Sequence, residues 1–556
     1  MSSSVPTRDL LNRTSGDRGG TQPQEAAKRE IDPERNHHCG SRRGGTANEQ
    51  SLAGLVRRAA EQWPQRVAWT FDALDQELTF ADVDRRSDAF AALLAEHGVT
   101  AGDRVALMLG NRPEFPLAWL AAAKLGAAMV PVNTNYQDYD AMHVLAHSGA
   151  RVVLTTAQHT DLLTRIKGST SLHHVLDVDA VPIPDAQPPE GPAPVPETIA
   201  NIQYTSGTTG APKGCVLPHR YWVSLAAGLV EDFPRINAQD TILTAQPFHY
   251  VDPQWNTALG LASGARLVVL DRFHPTTFWS KVREHEVTWL YCLGLMPKLL
   301  LDMPPSEHDL DHRVRAISAS AIPPDLHAAL EKRWGVPWFE AFGMTETGSD
   351  IRMTPEDHDD TVGTGCLGRA IAGREVAILD STGAPVPRGT TGELAIRGVG
   401  LMHGYFRDED ATARAFRAGW FHTGDLARMD EHGRVYYAGR TKDMIRRSGE
   451  NITAGEVERV LQLHPAVDVA AVLPEPDDLR GEEVHAVVVL RDENCTPDDL
   501  ADFCGRQLAY FKVPRYWTFR TSLPRTASER VAKPALRAEL ETDQPPRYDR
   551  KTQQWT

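Results

Sequence analysis

Apolar positions along this chain follow two alternating periods. Leu52, Leu55, Ala59 and Trp63 fall at helical spacing, whereas Val67–Phe71 reads as a strand. A strand at 78–80 leads into an amphipathic helix over 81–97. The runs 104–109, 127–132 and 151–155 are short and mostly apolar, with a helix over 114–125 among them. Strands of that kind, separated by helices, belong to parallel sheets covered on both faces. The pattern resumes at 198–203, 241–244, 266–270, 288–293 and 316–318. Over 373–439 strands dominate, broken by turn signals, which predicts a β-rich subdomain. Beyond Gly439 come a helix over 455–463, strands at 467–473 and 484–490, and a helix over 497–510.

The expected fold class is therefore α/β. A large N-terminal domain over 48–440 carries mostly parallel sheets plus the β-rich subdomain, and a small α+β C-terminal domain spans 441–540. Residues 1–47 have too few apolar side chains for a core and read as a disordered tail. Residues 541–556 read as a frayed polar tail, and the proline-rich stretch 178–197 as a surface connection.

Charge and cysteine usage narrow the function. A net charge of −15 argues against a nucleic-acid binder, whose footprint is basic. The 6 cysteines form no C-x-x-C pair, which fits a reducing, cytoplasmic setting. His37, His38 and Cys39 are adjacent but lack any further ligand at metal-site spacing. The longest apolar run, 117–132, is interrupted by Lys124, so no membrane span is expected.

The chemistry concentrates in Tyr204–Gly214, Y-T-S-G-T-T-G-A-P-K-G. Thr205, Ser206, Thr208 and Thr209 offer hydroxyl donors, Gly207 and Gly210 let backbone N–H groups approach an anion, and Lys213 adds a mobile charge. Lys213 is followed by Gly214 and not by Ser or Thr, so this is no Walker loop. The run resembles the phosphate loop of the adenylate-forming (acyl-CoA synthetase, AMP-binding) superfamily.

Further segments are similar to that family's motifs, in the same order and at matching intervals. In Ala341-Phe-Gly-Met-Thr-Glu-Thr the resemblance implies that Phe342 and Gly343 pack on adenine, that Thr345 touches the α-phosphate, and that Glu346 holds Mg²⁺. In Trp420-Phe-His-Thr-Gly-Asp it makes Asp425 a ribose ligand, joined by Arg440, with Lys442 as the hinge of a mobile C-terminal domain. The segment 446–452 resembles the small-domain loop used in thioester formation, which makes Arg447 and Gly449 candidates for CoA contact. Gly404 and Tyr405 match a further signature, read here as structural.

Two departures stand out. Where the family carries S-G-K near its carboxyl end, this chain has Ser528-Glu529-Arg530 and then Lys533, so either cation is a candidate for the adenylation step. The adenine loop reads Ser318-Ala-Ser-Ala-Ile-Pro in place of a glycine-rich turn. The acyl segment, with His249, Tyr250, Asp252, Gln254 and Trp255, resembles the crotonobetaine/carnitine-CoA ligase branch. An Asp among aromatic rings suits a cationic group, and polar side chains here disfavour a long alkyl chain.

The resemblance implies an ATP-dependent acid–CoA ligase that uses Mg²⁺ and acts on a small polar or aromatic carboxylic acid. Three matters stay open at this point. The acceptor is either CoA or a carrier protein or an amine, unless the enzyme activates nitrite to diazotise an aryl amine. A catalytically silent nucleotide-binding protein is the remaining alternative. The chain is either a monomer or a homodimer.

Overall fold

The computed structural model describes residues 50–205, 212–294, 296–320, 322–440, 444–492, 494–524 and 531–556. The expected tail 1–47, Ser206 to Gly210, Lys442 and Arg530 lie outside the described residues.

The expected α/β class is what the chain adopts. A six-stranded sheet runs in the order His174–Asp177, Val152–Thr155, Arg104–Leu107, Ala128–Pro131, Ile199–Thr205, Lys213–Pro218. All neighbours are parallel except the last pair, an antiparallel hairpin. Helices cover the sheet. Phe80–Glu96 opens on a capping box in which Thr79 and Asp82 satisfy each other's backbone N–H groups. Glu114–Lys124 is buried along nearly its whole length, as its apolar run requires.

A second sheet of 14 strands begins as a parallel stack of Val67–Phe71, Arg266–Val269, Thr241–Thr244, Trp289–Leu293, Ala316–Ser320 and Trp338–Met344. At Trp338–Met344 it turns antiparallel, pairing with Gly348–Arg352 and then with the strands of 366–440. This is the β-rich subdomain expected from the turn signals. One large core, including Trp69, Trp119, Trp222 and Trp289, joins the layers.

A separate core gathers residues 445–548 around Val457, Val472, Val484, Val488 and Trp517. Its seven-stranded sheet pairs Val467–Asp477 with Gly481–Leu490 and extends through Tyr516–Arg520. The sequence expectation fails at the far end. Residues from 541 are not frayed: Lys533–Asp543 is helical, and Tyr548–Asp549 and Gln554–Trp555 add two strands to this sheet. Asp549 accepts from Arg515 at 3.0 and 2.9 Å, and the Tyr548 hydroxyl donates to Asp498. Polar side chains pin this strap where apolar periodicity gives no sign of it.

Among the described residues no helix is long and apolar enough to cross a membrane.

Candidate active site

A cavity of about 1780 Å³ lies where the two large sheets face the second core. Thr205 and Lys213 are cross-strand partners at the loop end of the Ile199–Thr205/Lys213–Pro218 hairpin, so both ends of the Gly/Thr-rich run are fixed at this cavity. Gly214 is packed tightly: a Cβ there would lie 2.7 Å from the Ile202 side chain. The outer edge of the hairpin is held by the segment around Tyr405, with Phe406 N donating to Gly214 O at 2.7 Å and Val216 N to Gly404 O at 2.9 Å.

That edge brings three distant segments together. Lys213 Nζ sits 4.9 Å above the Tyr405 ring. The Tyr405 hydroxyl donates to Glu346 Oε1 at 3.0 Å, and Met402 N donates to Glu346 O at 2.9 Å. Burial, with Glu346 nearby, pushes the Tyr405 phenol far up, so it stays a donor. Glu346 is 8% exposed and occupies the turn between Trp338–Met344 and Gly348–Arg352, beside Thr345. Gly343 allows that turn, because a Cβ would fall 1.9 Å from Gly348 O. The sequence marks Tyr405 only as structural; in the fold its ring faces Lys213 while its hydroxyl donates to Glu346, and no local pattern signals those contacts.

Phe342, Gly343, Thr345, Glu346 and Asp425 all line the cavity. Asp425 is 1% exposed on Trp420–Met429, directly across the ladder from Arg440. Its backbone N–H donates to Thr423 Oγ1 at 3.0 Å. In the loop expected to face adenine, the Ser320 hydroxyl donates to Ala341 O at 2.6 Å and meets the Tyr291 hydroxyl at 2.5 Å.

The acyl segment divides in two. Tyr250, Asp252 and Trp255 line the cavity, with Trp289 and Tyr291 behind them. Trp255 makes edge contacts with Trp289 at 5.8 Å and Tyr291 at 5.3 Å. Desolvation pushes the Asp252 carboxyl up to about 6. Gln254 and His249 do not line the cavity. Gln254 is fully buried. Its amide accepts from Asn201 at 2.8 Å and donates to Phe248 O at 2.9 Å, so it clamps the segment from behind. Helical spacing carried the signal: Asp252 and Trp255, three apart on Val251–Ser263, share a face that Gln254 does not. His249 is 5% exposed, neither ring nitrogen has a hydrogen-bond partner among the described residues, and burial lowers it to about 3, so the ring is neutral.

The far wall comes from the hairpin Met444–Arg447/Glu450–Thr453, whose tip enters the cavity. Ser448 and Gly449 form the tip at φ +52 and +88. A Cβ on Gly294 would lie 3.2 Å from Gly449 Cα, so the two backbones touch. The Tyr250 hydroxyl donates to the Glu450 carboxylate. Arg447 points away: it donates to Glu483 at 2.5 and 3.3 Å and to Phe511 O at 3.3 Å. Its neighbour Arg446 lines the cavity instead. Strand alternation puts adjacent arginines on opposite faces, a one-position distinction that the motif alone does not resolve.

The second core is docked through a buried ionic cluster. Lys512 Nζ bridges Asp140 at 3.2 Å and Glu456 at 2.7 Å, and Ala509 N donates to Asp140 Oδ2 at 2.9 Å. Two carboxylates keep Lys512 protonated, while burial and Glu456 push Asp140 up. Lys533 lies outside the cavity, its Nζ 2.8 Å from Glu458.

Two clusters among the described residues have metal-site composition: Asp72, Glu284 and His285 hold Lys281 between their carboxylates, and the more buried cluster is His327, Glu331 and His358. Its ring nitrogens are engaged by Trp338 O, Gly363 N, Glu331 and Asp359, which marks a structural network.

Comparison with known proteins agrees with this geometry. The pattern of the AMP-binding enzyme family matches residues 56–406, and that of the AMP-binding enzyme C-terminal domain matches 456–530. The chain is 32% identical over 520 residues to a crotonobetaine/carnitine–CoA ligase of Escherichia coli, covering 88% of this chain and 95% of that protein. It is 30% identical over 517 residues to the enzyme of the same name from Salmonella paratyphi A, covering 88% and 99%. In structure it is similar to o-succinylbenzoate CoA synthetase of Bacillus subtilis, with TM-score 0.78, 28% identity, and coverage of 87% and 98%. It is also similar to an amide bond synthetase of Marinactinospora thermotolerans, with TM-score 0.78, 25% identity, and coverage of 88% and 99%.

Proposed function

This chain belongs to the AMP-binding enzyme family, and from that premise we propose that it joins a small carboxylic acid to CoA through an acyl-adenylate. The observation that carries this reading is the convergence of Lys213, Tyr405, Glu346 and Asp425 on the cavity that the 446–450 hairpin also enters.

In the first step the acid's carboxylate attacks the α-phosphorus of ATP, and pyrophosphate leaves. Thr205, Ser206, Thr208 and Thr209, with the N–H groups of Gly207 and Gly210, hold the phosphates, while Lys213 neutralises their charge. Phe342 and Gly343 face the base, Thr345 the α-phosphate, and Asp425 with Arg440 the ribose. Glu346 suits Mg²⁺, since its carboxylate is steadied by Tyr405 beside the phosphate-side lysine. A hard ion of that kind takes few protein carboxylates and supplies charge neutralisation to the phosphates. A second cation, Arg530 or Lys533, reaches the cavity when the 441–540 domain turns about Lys442; in the present arrangement Lys533 is occupied by Glu458.

In the second step the arrangement with the hairpin inserted brings Gly449 to the adenylate and guides the CoA thiol. The sulfur attacks the acyl carbon and AMP leaves. The nearby contact of Glu450 with Tyr250 holds the hairpin tip in register.

For the acid we propose a small molecule bearing a cationic group. Asp252, Trp255 and Tyr291 form an anionic aromatic recess, and the ligases of similar sequence are named for ammonium-bearing acids. Free thiols at Cys215, Cys292, Cys366, Cys495 and Cys504 fit a cytoplasmic enzyme. The test is mass detection of the acyl-CoA from ATP, CoA and a panel of ammonium-bearing acids set against their uncharged isosteres. The reading expects thioester from the charged series. Turnover only with an amine or a carrier protein would replace the acceptor, nitrite-dependent ATP consumption with an aryl amine would replace the acid, and no substrate-dependent product across the panel would leave a silent nucleotide binder.

A further inference from the structure

Arg352 closes the strand Gly348–Arg352 and is 5% exposed, yet it lines the cavity. Its Nη1 donates to Phe233 O and, at 3.4 Å, to Gly228 O, at the carboxyl end of the helix His219–Glu231, where the helix dipole is negative. Those contacts engage one of its three nitrogens. Nε and Nη2 have no partner among the described residues. Among those residues no carboxylate lies within ion-pair distance, and Asp232 acts on the guanidinium only from farther off. Burial lowers its pKa to about 10, so the group stays charged at neutral pH.

A buried guanidinium that meets two carbonyls and no anion is costly. The same strand avoids that cost two residues earlier, where the buried Asp350 is met by Arg374 at 3.0 Å and by the Thr347 hydroxyl. Arg352 borders the acyl recess. Its ladder partner Ala341 accepts from the Ser320 hydroxyl, which meets the Tyr291 hydroxyl. The charges of Asp252 and of Arg352 both act on that Tyr291 phenol, and no ion pair joins the two. Leu225 and Leu229 of the helix His219–Glu231 add an apolar wall. A strand rises ~3.3 Å per residue, so four steps place Arg352 about 13 Å along the strand from Gly348, beside the turn that carries Glu346. That separation leaves room for several carbons between a carboxylate at the phosphate side and a group held at Arg352.

We propose that Arg352 receives a second carboxylate of the acid, so that the substrate is an ammonium-bearing dicarboxylic acid. One carboxylate reacts, the cationic group lies at Asp252, and the far carboxylate takes the Nε–Nη2 edge of the guanidinium. That edge presents two parallel N–H donors, the geometry that a carboxylate accepts in bidentate fashion. An acid of the same length with an apolar end would leave those donors buried and unmet. The inference deepens the substrate reading above and rests on it.

The test is acid-dependent pyrophosphate release by the full chain in wild type, Arg352→Met and Arg352→Lys, a readout that does not depend on the acceptor. The probes are 2-aminoadipate, its ω-amide and norleucine, set against adipate, adipamate and hexanoate, with the shorter homologues of each. Wild type should favour the acids that end in a second carboxylate. Arg352→Met should raise KM for those acids about 30-fold, the scale of one lost hydrogen bond to a charged group, and leave KM for the amides unchanged; lysine should restore part of the loss. Should methionine prevent folding, Arg352→Gln keeps a donor for the Phe233 carbonyl and removes the charge. If the wild type does not distinguish carboxylate from amide, or if the variants lose all acids alike with a lower melting temperature, Arg352 only caps its helix, and the inference is overturned while the ligase reading stands. A preference for the second carboxylate with or without the ammonium group, lost in the methionine variant, supports the Arg352 site and removes the cationic reading. If no acid releases pyrophosphate, the ligase reading falls first and this site with it.

Discussion

The two walls of the cavity are held by different physics. On the large-domain side the phosphate-side and ribose-side groups sit on strands or hairpin turns, and backbone ladders fix them. Lys213 continues a sheet edge, and Glu346 occupies a turn whose carbonyl is tied to Met402. On the other side the hairpin 444–453 is held to the large domain by side chains: Tyr250 to Glu450, and Lys512 between Asp140 and Glu456. A ladder opens only by unfolding, whereas buried ion pairs exchange with water at a cost their own desolvation penalty partly repays. The first wall therefore suits groups needed in both steps, and the second suits a part that is exchanged between steps.

Variants can pull the walls apart. The largest effect should come from the fixed wall. Lys213→Ala or Glu346→Gln should lower acid-dependent pyrophosphate release by about 100-fold or more, the scale of removing one preorganised charge. Retention of full adenylation in either variant would remove that wall from the chemistry.

Next comes the docked wall. Lys512→Met leaves Asp140 and Glu456 buried face to face, a loss of about 3–5 kcal/mol in docking. Thioester formation should fall about 100-fold while pyrophosphate release changes only several-fold. An equal fall in both, with a lower melting temperature, would mean the cluster holds the fold and not the arrangement.

A smaller effect should appear in the acyl recess. Asp252→Asn should raise KM for an ammonium-bearing acid about tenfold and spare its uncharged isostere. The wild-type carboxyl is raised to about 6, so it is charged above that pH and neutral below. Affinity for the cationic acid should be flat above pH 6 and decline as pH falls through it, and the asparagine variant should lose this dependence. The smallest effect is expected for Tyr250→Phe. It removes one hydrogen bond to Glu450, worth about 1 kcal/mol, and should slow the thioester step roughly fivefold in single-turnover measurements.

Much of the fixed wall is legible in the sequence. The strand at 199–205 and the β-rich subdomain follow from periodicity and turn residues, which are local properties, whereas Thr345 and Glu346 are picked out by the family resemblance. The role of Tyr405 is not legible, because its contacts to Lys213 and Glu346 join residues far apart in the chain. The motif assigns Arg447 to the cavity where Arg446 lines it, since a motif fixes a position to within a residue while strand alternation reverses the face. Gln254 is grouped with the acid by its segment, although its helix face turns it to Asn201. The strap from 541 leaves no periodic trace because isolated contacts hold it down: the Arg515–Asp549 pair, the Tyr548 hydroxyl on Asp498, and the single Tyr548 ring set into the second core.

The most direct test of the central claim, that one cavity runs two separable half-reactions, is exchange of labelled pyrophosphate into ATP with a suitable acid and no CoA. The account predicts exchange that requires both acid and magnesium and that collapses in Glu346→Gln but persists in Lys512→Met. Exchange that is absent without CoA, or that vanishes equally in both variants, would contradict it.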